Sequence, residues 1–223
     1  MIIHKTGERY ADRRAAGDAL AEALAHYRGA DVLVLGLPRG GVAVAARVAD
    51  ALDAELDVIA VRKLPSPISE ELAIGAVTAD GERVLNEGLC SELGISDTYL
   101  SAITEVQRGE AVKQEAQFRG HRPPARIGGR IVVLVDDGLA TGATMRAALA
   151  SVQRQAPAHV TVAVPVGSRQ ACEALGPLAD EVICLWKPEP FGAVGRFYEK
   201  FARTSDDEVR ELLQSTSRVV EPW

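Results

Sequence analysis

The stretch RIVVLVDDGLATGATMRAAL, residues 130–149, decides how the rest of the chain is read. Its apolar run Ile131–Val135 has the continuity of a strand buried on both faces, and it ends on two adjacent carboxylates, Asp136 and Asp137. The loop Gly138-Leu-Ala-Thr-Gly-Ala-Thr144 follows, and an alanine-rich helical pattern begins near Gly142. Open α/β sheets bind ligands at the carboxyl ends of their strands, so the two acids point into the expected crevice. At the helix start, free backbone N–H groups and the positive end of the helix dipole favour an anion. Gly138 and Gly142 let the backbone approach closely, while Thr141 and Thr144 add hydroxyl donors. A phosphate on the loop and hydroxyl groups on the carboxylates describe one ligand class, a ribose 5-phosphate.

Outward from this stretch, strand-length apolar runs alternate with amphipathic segments. Strands are predicted at 32–36 (VLVLG), 56–61 (LDVIAV), 131–135, 160–166 (VTVAVPV) and 181–186 (EVICLW). Helices are predicted at 12–27, 41–52, 142–155 and 168–175. Continuous apolar strands with helical crossovers imply an α/β fold, an open, doubly wound parallel sheet of about five strands covered on both faces. The rhythm breaks between the second and third strands. Residues 62–129 are far more than a crossover needs, and they read as a hairpin over 72–86 turning at Asp80-Gly81, a polar helix over 97–119 and a Pro/Gly-rich return. This insertion is the natural lid, the segment after residue 186 a hood-like element, and a single domain spanning 1–223 the expected organisation.

Composition narrows the function classes. With 47% apolar residues and no run near the roughly 20 needed to span a bilayer, a cytoplasmic protein without membrane contact is expected. The net charge of −6 argues against nucleic acid as a partner, and the arginine-rich RGHRPPARIGGR (119–130) reads as a solvated loop. Cys90, Cys172 and Cys184 lack metal spacing and read as small buried hydrophobes, and the four histidines are scattered. No lysine follows Gly142, which excludes a P-loop, and GLPRGG (36–41) lacks dinucleotide-fingerprint spacing.

The run VLVDDGLATGATM resembles the phosphoribosyl-pyrophosphate (PRPP) signature of type I phosphoribosyltransferases, closest to the adenine branch. LPRGG, VRK, ELAIGAV and the C-terminal F-x-AVG-x-x-Y are similar to a bacterial group of phosphoribosyltransferase-like proteins. The resemblance implies that Asp136 and Asp137 hold the ribose hydroxyls. It implies a 5′-phosphate site on the loop Gly138, Ala140, Thr141, Gly142, Ala143 and Thr144. It makes the turn at Arg39, Gly40 and Gly41 a pyrophosphate loop, with a non-proline cis peptide common there. Lys63, assisted by Arg62, could reach the same pyrophosphate, or both could be solvated charges. Arg39 and Lys63 are then the catalytic candidates, and Mg²⁺ is expected to bind through PRPP rather than through direct protein ligands.

The implied reaction is transfer of the phosphoribosyl group to a nitrogenous small-molecule acceptor with release of pyrophosphate, as in nucleotide metabolism. Such relatives commonly form homodimers. Ala140 and the PVGS at 165–168 depart from the hypoxanthine-guanine branch, which places an aspartate and a lysine at those points, so a 6-oxopurine acceptor is not indicated. Phe191, then Trp186, are candidates for stacking on the acceptor, with a core position the equal alternative for each. Two other readings stand beside the enzyme: a PRPP-sensing regulator without catalysis, and a hydrolase acting on phosphoribosyl compounds.

Overall fold

The computed structural model describes residues 9–216. In chain order it runs α1 (Arg13–Ala23), β1 (Val32–Gly36), α2 (Gly40–Leu52), β2 (Glu55–Val58), β3 (Val61–Ser66), β4 (Ser69–Thr78), β5 (Arg83–Leu85), α3 (Glu87–Glu92) and α4 (Asp97–Arg119). It continues with β6 (Ile131–Val135), α5 (Ala143–Gln153), β7 (His159–Val166), α6 (Arg169–Leu175), β8 (Glu181–Trp186) and α7 (Asp206–Ser215). Five strands form one parallel sheet in the order β2-β1-β6-β7-β8, and β3-β4-β5 form a separate antiparallel sheet. This is the open α/β sheet with an inserted hairpin that the sequence implies.

Strand alternation distributes the core. Val34, Val133 and Val135 point to the side covered by α1, α2 and α7, where they meet Leu20, Leu24, Val44, Val48, Val209 and Leu213. Leu33, Leu35, Val132 and Leu134 point the other way, onto Met145, Leu149 and Val152 of α5 and Cys172 and Leu175 of α6. Each fully buried side chain of this size contributes about 1.5–3 kcal/mol by leaving water. Asp12 caps α1 by accepting from the Ala15 amide, and the predicted helix over 12–27 ends as a 3-10 turn at Ala25–Tyr27.

One strand differs from the expectation. LDVIAV does not run through residue 61: β2 stops at Val58, and the Ala60 amide donates to the Glu115 carboxylate at 2.8 Å. The chain then starts β3 in the second sheet, so Arg62 and Lys63 lie on a strand rather than in a loop. α4 is anchored at its far end, where Arg119 binds Asp57 with its Nε (2.8 and 3.0 Å) and the Val58 carbonyl with Nη2. Arg122 donates to the Leu213 and Leu56 carbonyls, and Arg130 to Asp31 and Glu55. Arg119, Arg122 and Arg130 thus sew the insertion to the edge of the main sheet, while Arg126 is exposed.

The last part of the expected hood, residues 217–223, lies outside the described residues, as does His4. What is described is built from both ends of the chain. Tyr10 pairs with Tyr198 in a parallel bridge, the Tyr10 amide donates to the Phe197 carbonyl, and the Glu199 amide donates to the Tyr10 carbonyl. No helix among the described residues is long and apolar enough to cross a membrane.

Candidate active site

The register of the sheet creates the site. Gly36 ends β1 directly opposite Val135, the end of β6, and the Leu37 amide still donates to the Val135 carbonyl at 2.9 Å. The two loops that follow, residues 37–39 and 136–142, therefore start side by side. α2 leaves the first of them so close to the second that its opening residues must be glycine. A β-carbon on Gly40 would stand 1.9 Å from Asp137 Oδ2, and one on Gly41 would stand 2.7 Å from the Val135 carbonyl and 2.8 Å from Asp136 Cα. The glycines that read as a means for amides to reach a ligand also serve to pack a helix N-terminus, with its partial positive charge, against the two acids.

Asp136 and Asp137 are unequal. Asp136 Oδ1 accepts from the Asp137 amide at 2.8 Å. Burial, and then the neighbouring Asp137 charge, push its carboxyl well above the ordinary aspartate range. Burial also raises Asp137, but the guanidinium of Arg13 opposes it, with Nε 2.7 Å from Asp137 Oδ2. The Tyr198 hydroxyl donates to the Asp137 carbonyl at 2.5 Å, and burial pushes that phenol far above its usual value. The result is a pair of vicinal carboxylates with one resident cation, suited to accept hydrogen bonds from adjacent hydroxyls.

The second loop ends at an open helix start. Gly142 takes a left-handed conformation (φ 78°) as the N-cap of α5, and neither a side-chain cap nor an acidic residue occupies its first turn. The first amides of α5 are thus donors without an intrahelical partner. The loop itself is braced: the Leu139 amide donates to the Val166 carbonyl, the Ser168 amide to the Leu139 carbonyl, and the Ser168 hydroxyl to the Ala140 carbonyl at 2.6 Å. Gly138 leaves room for Val194 of the hood, whose Cγ1 a β-carbon there would approach to 2.5 Å. Thr141, Ala143 and Thr144 line a cleft of about 370 Å³ shared with Lys63, Glu71, Asn86 and Arg146. Arg146 Nε is buried in that wall and has no hydrogen-bond partner among the described residues.

The other predicted residues divide. Arg39 follows the non-proline cis peptide Pro38–Arg39, and its Nε is held by Asp206 Oδ1 at 2.6 Å, at the first turn of α7. Lys63 reaches the cleft by the 141–144 loop, whereas Arg62, its neighbour on the strand, faces α4 and approaches Gln107 at 3.4 Å. Successive residues on a strand point to opposite faces, so the two side chains leave β3 in opposite directions. Phe191 and Trp186 both pack on Phe197, at ring-centroid distances of 5.1 and 5.0 Å, in the aromatic cluster that joins the two chain ends.

The sequence reading gave no site role to Arg13, Tyr198, Asp206 or Arg146. Arg13 carried a signal: it opens a helix, and Arg14 follows it, where the dipole disfavours cations. Tyr198 closes the F-x-AVG-x-x-Y element, whereas nothing local marks Asp206 or Arg146.

Known proteins share the sequence and fold of this chain. The phosphoribosyl transferase domain family matches residues 7–192. A Mycobacterium tuberculosis (strain H37Rv) protein named "Putative phosphoribosyl transferase Rv0571c" is 44% identical over 207 residues, 93% of this chain and 47% of that protein. The chain therefore spans about half the length of the curated relatives it matches. The crystal structure of TT1426 from Thermus thermophilus is 46% identical, with a TM-score of 0.79, covering 94% of this chain and 100% of that one. The structure of AQ2163 from Aquifex aeolicus shares the fold alone, at 11% identity and a TM-score of 0.51 over 92% of this chain and 86% of that one. On the match over residues 7–192 and the vicinal acids beside an uncapped helix start, this chain belongs to the phosphoribosyl transferase domain family.

Proposed function

We propose that the protein binds PRPP at the paired loops and transfers its phosphoribosyl group to a nitrogenous acceptor, releasing pyrophosphate. The observation that carries this reading is the juxtaposition of Asp136 and Asp137 with the uncapped first turn of α5, one surface for vicinal hydroxyls and one for a phosphate on the same short loop. The ribose hydroxyls go to the acids, and the 5′-phosphate to the amides and hydroxyls of 141–144. The pyrophosphate then falls toward the loop at Arg39-Gly40-Gly41.

Bond breaking at the ribose C1 develops positive charge on the ring and negative charge on the leaving group. Preorganised cations stabilise the second, and exclusion of water preserves the first. Arg39 supplies a cation once it exchanges Asp206 for the pyrophosphate. Lys63 adds a second from the cleft, and the exposed hairpin arm at Pro67–Leu72 supplies cover. Magnesium would enter as an ion carried by the substrate's own oxygens. When bound there, it neutralises the charge of the departing pyrophosphate.

A sensing role without transfer has its own support: Arg39 is already paired with Asp206, and both candidate stacking rings are packed on Phe197. Incubation with PRPP and magnesium against a panel of bases and amines, following pyrophosphate release, separates the readings. Release that requires one acceptor supports transfer. Release without any acceptor points to hydrolysis, and binding without release to a sensor. Failure to bind PRPP at all overturns the reading.

A further inference from the structure

Arg13 has a place in the site that the ribose reading leaves unexplained. Its Nε meets Asp137 Oδ2, and the two side chains are only 13% and 15% exposed. Its Nη1 donates to the Ala202 carbonyl at 2.6 Å, and its Cζ lies 3.9 Å from the centroid of the Phe201 ring. Three contacts thus hold one guanidinium. On the far side of the pair there is no side chain at Gly40, where a β-carbon would be 2.8 Å from Arg13 Nε as well as against Asp137. The ion pair is wedged between the start of α1, the start of α2 and the C-terminal segment.

Helix energetics do not account for it. Arg13 is the first residue of α1, where the dipole presents partial positive charge and a cation is unfavourable by a few tenths of a kcal/mol or more. Its compensation comes from Asp137, which is 124 residues away in sequence.

We propose that Arg13 is a positioning residue for Asp137: by occupying Oδ2, it keeps the carboxylate ionised and turned so that Oδ1 is free to accept a ribose hydroxyl. This rests on the reading of Asp137 as a ribose ligand. A carboxylate has about four lone-pair positions, so a cation on one oxygen leaves acceptor capacity on the other. Without the cation, two buried like charges would stand side by side and one would take up a proton. A protonated carboxyl is a poorer acceptor and is free to rotate.

The other groups coupled to this position are Asp136 on the same loop and the Tyr198 phenol, which in turn faces Tyr10. Both phenols are pushed far above their ordinary value by burial and stay neutral throughout the test range, leaving the acid pair as the titrating unit.

The test uses R13Q and R13K in the full chain. PRPP affinity is measured by calorimetry from pH 6 to 8.5 and expressed as the ratio to wild type, which cancels titration of the ligand's own phosphates. R13Q is expected to weaken binding about tenfold or more at pH 6, with the gap narrowing as pH rises and Asp137 ionises, while R13K recovers most of the loss. A loss that is the same at every pH, or an R13K no better than R13Q, overturns the proposal. A second readout needs no ligand: ¹³C-carboxyl aspartate NMR, with the Asp137 signal identified by its absence in D137N. Its titration should move up by about one to two pH units in R13Q, and an unmoved titration overturns the proposal. If wild type binds no PRPP but the NMR shift appears, the ribose reading fails while the effect of Arg13 on Asp137 stands.

Discussion

The loop after β1 and the loop after β6 leave the sheet in register, one hydrogen bond apart, and each runs into a helix, yet they are held by different means. The first is fastened by charge and close packing: Arg39 on Asp206, and Gly40 and Gly41 pressed against Asp137 and Asp136. The second is fastened by backbone hydrogen bonds to β7 and α6, while the donors at the start of α5 stay open. A site that must take a phosphate without rearrangement needs the second arrangement, because donors already aimed require no reorganisation. A site that must grip a group only while it departs tolerates the first, in which its cation is parked on a neighbouring acid and the exchange is nearly neutral.

The largest effect should come from removing the charges between the loops. D136N with D137N is expected to lower PRPP affinity on the order of a hundredfold or more, two charge-assisted hydrogen bonds at about 1.5–3 kcal/mol each. Unchanged affinity by calorimetry would remove the ribose role.

Of the two changes, D136N by itself should stabilise the fold. Asp136 is raised in the folded state, so its contribution to stability is full below the ordinary aspartate value of 3.8 and is lost as pH rises above it. Melting temperatures of D136N minus wild type should therefore grow from near zero at pH 4 to a positive difference at pH 7. A flat difference would show that burial does not load this carboxyl.

Next come the glycines. Gly40→Ala drives a methyl into Asp137 and is expected to cost about 1–3 kcal/mol of stability, together with most of the PRPP affinity. Gly142→Ala meets nothing nearer than Ala171 Cβ at 3.5 Å and should cost only the left-handed conformation, about 1–2 kcal/mol. Chemical unfolding of both variants checks the order. If Gly142→Ala proves the worse, the contrast between a packed loop and an open one is wrong.

The smallest effect is expected at Asp206. Its pair with Arg39 is about one third exposed, so D206N should change stability by less than about 1 kcal/mol. It should also free Arg39 and tighten pyrophosphate binding several-fold in competition titrations. Weaker binding would mean that Asp206 orients Arg39 rather than parking it.

How far the chain could be read from its residues alone varied with the range of the interaction. Strands β1, β6 and β7 and helices α2 and α5 were visible because burial on both faces, or on one helical face, leaves a periodic trace along the chain. The end of β2 was misplaced because Ile59-Ala60-Val61 is as apolar as a strand, and only the Glu115 carboxylate, 55 residues on, takes the Ala60 amide out of the sheet. Arg62 and Lys63 looked like one cationic pair until pairing with β4 put them on opposite faces. Phe191 and Trp186 could not be assigned from the sequence, since an aromatic that packs on Phe197 and one that awaits a ring are spelled alike.

Local order in the chain was enough to determine the parallel sheet, the acids at the mouth of β6 and the helix start that follows them, because strand continuity, dipole and turn chemistry act over a few residues. Tertiary structure alone decided which charges those acids meet. Arg13, Tyr198 and Gly40 reach Asp137 only when α1, α2 and the C-terminal segment converge on one point. Electrostatic and steric contact depends on distance in space, and separations of 61 to 124 residues carry no trace of it along the sequence.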